Sequence, residues 1–100
     1  MANTPKAFYR SALPTGMTTV YTVPPSGVAI ITNIVATNPA ASAASVTVRL
    51  GGVPLLSNVG VAPGGVLALD VRQVLSAGDK IDVQGNATPA LVHISGVEVA

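Results

Sequence analysis

The sequence contains no cysteine, no tryptophan and only one histidine. The missing thiols exclude disulfides, thiolate metal ligands and cysteine nucleophiles. The one histidine, His93, has no second imidazole with which to hold a metal, and no thiol to activate as a base. We therefore expect no catalytic residues, no metal site, no cofactor and no enzymatic activity. His93 is interpreted as a strand residue that faces solvent or a neighbouring subunit.

Charge is also scarce. Charged residues make up 9% of the 100-residue chain and the net charge is +1, whereas about 25% is usual in a soluble domain. No cluster of Lys and Arg is available to neutralise phosphates, so nucleic acid is not an expected partner. A domain of this size exposes much of its surface, which here must be largely small polar and apolar groups. This composition predicts that partner subunits cover part of the surface.

Long apolar runs are missing as well. The longest, Val28 to Ala36, is interrupted by Thr32 and Asn33, and a membrane span needs about 18 apolar residues. Residues 1–10 have no apolar core of the kind found in secretory signals. We expect no membrane partner and no secretory signal.

One carboxylate pair deserves an alternative interpretation. Asp79 and Asp82 flank the start of a predicted strand, where they could form part of a calcium site. Calcium requires about six to eight oxygen ligands, and no loop has the dense Asp and Asn pattern that supplies them. The pair is interpreted instead as a charged rim.

The residues that are abundant favour strands. The chain has sixteen valines and fifteen alanines but three aromatic residues, a composition typical of strands rather than helices. Turn signals rich in Gly and Pro recur roughly every 8–12 residues. The sequence therefore predicts an all-β fold, a small β-sandwich or jelly-roll-like barrel of about seven or eight strands. The predicted strands are Thr18–Val23, Val28–Thr37, Ser45–Leu50, Val53–Leu56, Val66–Val71, Lys80–Gly85 and Leu91–Val99.

Alternation within these strands predicts the core. One helical turn is expected over residues 71–75. In the last strand the apolar residues change parity around Ser95 and Gly96, which predicts a β-bulge there. The six residues expected to be buried are Val46, Val48, Leu67, Leu69, Ile81 and Val83.

Residues 1–17 show neither helical nor strand periodicity and contain Pro5, Pro14 and Gly16. We interpret them as an extended N-terminal arm, and residues 18–100 as the β-sandwich domain. The arm carries two of the three aromatic residues beside two cations, so it is expected to anchor the subunit to a neighbour or to the underlying shell. A frayed terminus is the alternative. Strand 28–37 is apolar on both faces, which indicates a central strand or one that meets a neighbour. The interface candidates are Lys6, Phe8, Tyr9, Arg10, Tyr21, Ile31 and Val35.

Several runs between residues 18 and 100 resemble a family of small β-sandwich virion proteins of tailed bacteriophages, the minor capsid or head-decoration proteins. The arm lies outside the resemblance. No catalytic residue marks the family, so no functional residue transfers. The runs are Val20-Tyr21-Thr22-Val23-Pro24, Val28 to Asn38 with the small-residue loop and Ser45 to Leu50 that follow it, Leu67-Ala68-Leu69-Asp70, Leu75-Ser76-Ala77-Gly78-Asp79-Lys80-Ile81 and Ser95-Gly96-Val97-Glu98-Val99.

The resemblance implies a jelly-roll-like subunit, usually a homotrimer, that is attached to a capsid or tail. On this basis the expected function is a structural virion subunit that binds and reinforces the phage head after assembly in the cytoplasm of the host bacterium. Its expected partners are further copies of itself and the major capsid protein or another virion protein. The alternative is a tail-fibre or adsorption module that contacts host glycans. The small number of aromatic residues, three in the chain, weighs against this alternative, since sugar sites usually use aromatic platforms.

Overall fold

The computed structural model describes residues 3–99, and every regular element in that range is a β-strand. No helical turn forms at residues 71–75, which continue a strand instead. The strands are β1 (Asn3–Ala12), β2 (Thr18–Thr22), β3 (Val28–Thr37), β4 (Ala44–Leu50), β5 (Val53–Val61), β6 (Val66–Leu75), β7 (Lys80–Gln84) and β8 (Leu91–Val99).

The strands form two four-stranded antiparallel sheets, in the orders β1-β8-β3-β6 and β2-β7-β4-β5. Successive strands cross from one sheet to the other except at β4–β5, the arrangement of an eight-stranded jelly roll. The predicted β-sandwich is therefore confirmed. The β4–β5 hairpin turns at Gly51 and Gly52, whose φ angles of 60° and 81° lie in the left-handed region that two-residue hairpin turns require.

The core lies between the sheets and is built from branched aliphatic side chains. Val46, Val48, Ile81 and Val83 are fully buried, as the alternation in β4 and β7 predicts. Leu67 and Leu69 also face the core, but they are only half-buried. The reason is that β6 is an edge strand, so side chains on it have core neighbours on one side only.

The N-terminal segment differs from its prediction. The interpretation of residues 1–17 as an arm outside the sandwich is wrong for Asn3–Ala12, which forms β1 and pairs along its length with β8; residues 1 and 2 lie outside the described range. The register shifts between Ala7 and Tyr9. Because Phe8 is the extra residue of this β-bulge, both Phe8 and Tyr9 contact the core and the strict alternation of a strand is lost. Pro5 is tolerated because β1 is an edge strand.

The predicted bulge in β8 is also wrong in its position. Val92, Ile94 and Gly96 all stay buried, so β8 keeps one parity, and the register shifts fall in its neighbours, at Phe8 of β1 and between Ile31 and Asn33 of β3. Gly96 itself is needed for close packing. A Cβ there would lie 1.9 Å from the Ile30 carbonyl oxygen and 2.9 Å from Phe8 Cε2.

The difference between central and edge strands can be measured with one cross-strand pair. Ile34 and Leu69 lie opposite each other on the inward face, but Ile34 is fully buried. We expect Ile34→Ala to lower the free energy of unfolding by about 2–5 kcal/mol. Leu69→Ala should cost roughly 1–2 kcal/mol, since only part of its side chain leaves water on folding. Urea denaturation measures both, and equal losses would contradict the edge position of β6.

The thermal stability of the variant Phe8→Ala tests whether Asn3–Ala12 is a strand of the sandwich or an arm outside it. As part of the core, Phe8 should contribute about 3–5 kcal/mol, which corresponds to a fall in Tm of more than about 10 °C in a domain of this size. Ser11→Ala, three residues away at an exposed position of β1, is the matched control and should leave Tm almost unchanged. An unchanged Tm for Phe8→Ala would instead support the interpretation of this segment as an arm outside the sandwich.

Candidate interaction surface

The structure separates the seven residues expected at an interface. Phe8 and Ile31 are 7% and 0% exposed and belong to the core of their own chain, so their assignment to an interface is wrong. Tyr9 is half-buried against the same core, and its hydroxyl donates to the Ala12 carbonyl of its own strand. These three side chains are used internally. Sequence alternation missed this because β1 is irregular at Phe8 and β3 shifts register between Ile31 and Asn33.

Two further candidates, Lys6 and Tyr21, meet Glu98 where one end of β8 approaches β2 of the opposite sheet. The Tyr21 hydroxyl donates to Glu98 Oε2, and Lys6 Nζ lies 3.4 Å from the same oxygen and 5.4 Å from the centroid of the Tyr21 ring. The Tyr21 ring also meets Phe8 edge-on, with centroids 4.6 Å apart. Lys6 and Tyr21 therefore join the two sheets of one chain, rather than forming a free contact surface.

These contacts shift two ionisation equilibria. The hydrogen bond from Tyr21 lowers the pKa of Glu98; partial burial opposes this change, and the hydrogen bond and charge of Lys6 add to it. Burial raises the pKa of Tyr21, with further contributions from its hydrogen bond to Glu98 and from the negative charge of Glu98. Near neutral pH the cluster thus consists of a carboxylate, a neutral phenol and an ammonium group.

The remaining candidates, Arg10 and Val35, lie on the outer surface of sheet β1-β8-β3-β6. His93 lies between the buried residues Val92 and Ile94, so it points away from the core, and its cross-strand partners share its face. We call this surface the apolar face. Its five cross-strand rows are Ala12, Leu91, Thr37 and Val66; Arg10, His93, Val35 and Ala68; Ala7, Ser95, Asn33 and Asp70; Pro5, Val97, Ile30 and Val74; and Asn3, Val99 and Val28.

Most side chains of the apolar face are aliphatic, and several are well exposed: Val74 is 65% exposed, Val66 63% and Leu91 40%. Its polar groups lie mainly in the second and third rows, where Asn33 Nδ2 lies 3.4 Å from Asp70 Oδ1. Thr37 and Asn3 lie in the first and last rows, and Arg72 lies between Asp70 and Val74 on β6. The sequence signal for this surface was that strand 28–37 is apolar on both faces. Strict alternation puts Val28 and Ile30 on the face opposite Val35, and the three share the outer face because β3 shifts register between Ile31 and Asn33. The contributions of β1 and β6 became visible only through strand pairing.

The outer surface of the other sheet is polar. Thr19, Asp82 and Arg49 form one of its cross-strand rows, Thr47 pairs with Gln84, and Thr22 pairs with Lys80. These seven residues define the polar face. The two outer surfaces of the sandwich therefore differ in chemistry, although both sheets contribute similar aliphatic side chains to the shared core.

Asp79 and Asp82, the two carboxylates of the predicted rim, both accept hydrogen bonds within the chain. Asp82 is 7% exposed; it accepts hydrogen bonds from Thr19 Oγ1 and from Arg49 Nη2, the latter at 3.1 Å. Asp82 points outward from β7 as predicted, but Thr19 and Arg49 cover it, so it is not an exposed charged rim. Asp79 Oδ2 accepts a hydrogen bond from the Ser76 backbone N–H, which fixes the turn before β7. Among residues 3–99 no three His, Cys, Asp or Glu side chains lie close enough to hold a metal ion.

Acidification should remove the stability that Glu98 contributes. Because its pKa is lower in the folded protein, that contribution is complete above the unfolded-state pKa and is lost as the pH falls through the folded-state pKa. Urea denaturation between pH 7 and pH 2 should show that the advantage of the wild type over Glu98→Gln shrinks on acidification. Tyr21→Phe, which keeps the ring but removes the donor, should weaken the same pH dependence. A constant difference between wild type and Glu98→Gln would contradict the role of the carboxylate.

Within residues 3–99 there is no helix with the length and hydropathy needed to cross a membrane.

No protein-family model matches the chain, and no curated protein matches it. Among solved structures, it is similar to an exo-β-1,3-galactanase from Phanerochaete chrysosporium with galactose, with a TM-score of 0.47 and 16% identity, covering 95% of this chain and 29% of the galactanase. It is also similar to a pentameric capsid protein from metagenomic phage sequences, with a TM-score of 0.40 and 20% identity, covering 96% of this chain and 61% of the capsid protein. The chain thus spans less than two thirds of either protein. At these identities and TM-scores, neither likeness assigns a family, an activity or a partner to it.

Proposed function

We propose that the chain is a structural subunit of a bacteriophage virion, a decoration or minor capsid protein that binds and reinforces the head as a homo-oligomer. The observation that supports this best is the apolar face. A largely aliphatic outer surface on a four-stranded sheet is unusual for a free monomer and marks a contact with another protein. The resemblance of residues 18–100 to virion proteins supplies the context of a phage head, and the copy number it implies is three.

The contrast between the two outer surfaces supports a structural role. Val97 and Ile30 occupy the middle of the apolar face, whereas Thr47 and Gln84 lie on the polar face. A subunit of this kind can bury one side in an assembly and leave the other in water. The proposal includes no catalytic step. It places the protein in the virion, after assembly in the cytoplasm of the host.

The glycan-binding alternative is less well supported. A sugar site usually needs an exposed aromatic platform, and the three aromatic residues of this chain are used internally. Phe8 is buried, the hydroxyls of Tyr9 and Tyr21 are bonded within the chain, and the Tyr21 ring is packed against Phe8.

Electron microscopy of purified virions with gold-labelled protein tests the proposed location. We expect a regular array over the head, because a reinforcing subunit repeats with the shell lattice. Label confined to the tail, or absent from the particle, would contradict the proposal. Binding of the purified chain to an array of bacterial glycans, combined with tail labelling, would favour the adsorption module.

A further inference from the structure

We propose that the apolar face binds the same face of a second copy of this chain, in a dimer whose twofold axis runs along the strands between β8 and β3. This inference rests on the self-association in the proposed function and identifies the surface that mediates it. It begins from a point of symmetry. A twofold contact uses the same patch on both subunits, whereas a closed trimer needs two different patches that fit each other.

Only one of the two outer surfaces described for residues 3–99 is apolar. The polar face is lined by threonines, Gln84, Lys80 and the ion pair between Arg49 and Asp82. It offers little aliphatic area that could complete a heterologous ring. A single apolar face can be buried by packing against the same face of a second copy of the chain. This favours a pair over the trimer that the resemblance implies.

The apolar face is large enough for a stable contact. Four strands about 4.8 Å apart, each with about nine residues at roughly 3.3 Å per residue, cover roughly 19 by 30 Å. Two such faces bury about 1,100 Å² in total even if their relief is ignored, and a specific interface needs about 1,000 Å². Two sheets that stack face to face pack about 10 Å apart with their strands aligned to within about 30°, and an axis along the strands keeps the strands of the two copies parallel to one another.

The pattern of rows selects the direction of the axis. With the axis along the strands, each row faces its own row in the second copy, and β8 lies over β3. Val97 then meets Ile30 of the partner subunit, and Ser95 meets Asn33 of the partner subunit, so apolar groups meet apolar groups and polar groups meet polar ones. An in-plane axis perpendicular to the strands, through the middle row, would place Asp70 against Asp70 of the partner subunit. Two like charges in direct contact oppose association.

Charge complementarity also favours the axis along the strands. Arg10 lies at the β1 margin of the face and Asp70 at the β6 margin, in adjacent rows. Since β1 of one copy lies over β6 of the other, Arg10 comes within one row of Asp70 of the partner subunit. The pair occurs twice by symmetry. Arg72 also belongs to β6, but it follows Asp70 on the side away from the row of Arg10, so Asp70 is the closer charge.

Sedimentation equilibrium of the purified chain at micromolar concentration tests the dimer. We expect twice the chain mass of 9.9 kDa. Val97→Asp, in the middle of the apolar face, should leave only monomer. Thr47→Asp, on the polar face of a central strand in the other sheet, is the matched control and should remain dimeric. Circular dichroism and Tm establish that both variants are folded.

A charge exchange tests the orientation and does not depend on Val97. Arg10→Asp alone and Asp70→Arg alone should each weaken the dimer about tenfold, because each replaces two attractions by two repulsions, while the double exchange should restore the dissociation constant. Both side chains are exposed, so folding is expected to survive.

A monomer at all concentrations, a trimer, equal weakening by Thr47→Asp and Val97→Asp, or no recovery in the double exchange would each overturn the proposal. The location experiment is independent of this one. A monomer that still decorates heads overturns only the dimer, whereas a dimer that is absent from virions overturns only the virion role.

Discussion

The packing of Phe8 over Gly96 and against Tyr21 is the contact on which the rest of the structure depends. Phe8 belongs to β1, Gly96 to the neighbouring strand β8, and Tyr21 to the opposite sheet. The close approach requires glycine, since a Cβ on residue 96 would lie 2.9 Å from Phe8 Cε2. The edge-on contact between Phe8 and Tyr21, with centroids 4.6 Å apart, then joins the sheets. Aromatic pairs of this geometry contribute about 0.5–1.5 kcal/mol beyond the area that they bury.

Two consequences follow for the N-terminal strand. Burial of Phe8 fixes β1 at the edge of its sheet, which extends the apolar face by one strand and sets Arg10 at its margin. The same contact places Lys6 next to Glu98, so that the two cations expected to reach a partner have different surroundings. Lys6 pairs within the chain at 3.4 Å, whereas Arg10 stays exposed on the outer surface. One bulge in an edge strand thereby decides which side chains stabilise the fold and which remain free for another molecule.

A chain with few charges and many aliphatic residues has more aliphatic side chains than its core can hold. The two outer surfaces therefore differ, because one of them carries the aliphatic side chains that remain. The sandwich interior contains the fully buried valines and isoleucines, and the polar face carries Lys80 and the ion pair between Arg49 and Asp82. The remaining aliphatic side chains line the apolar face. Such a surface costs free energy in water in proportion to its area, and this cost is what an assembly removes.

The sequence by itself determined the fold class, a sandwich of seven or eight strands, the turn at Gly51 and Gly52 between two of them, and the burial of Val46, Val48, Ile81 and Val83. These features depend on local alternation and turn chemistry, which short stretches of chain carry. Tertiary structure alone decided the strand identity of Asn3–Ala12, the burial of Phe8, Ile31 and Asp82, and the half-exposure of Leu67 and Leu69. Burial of these residues depends on neighbours distant in sequence. Phe8 meets Gly96, Asp82 meets Arg49, and Leu69 lacks an outer neighbour because β6 is an edge strand. The apolar face was decided in the same way, because residues from four strands become one surface only after the strands have paired.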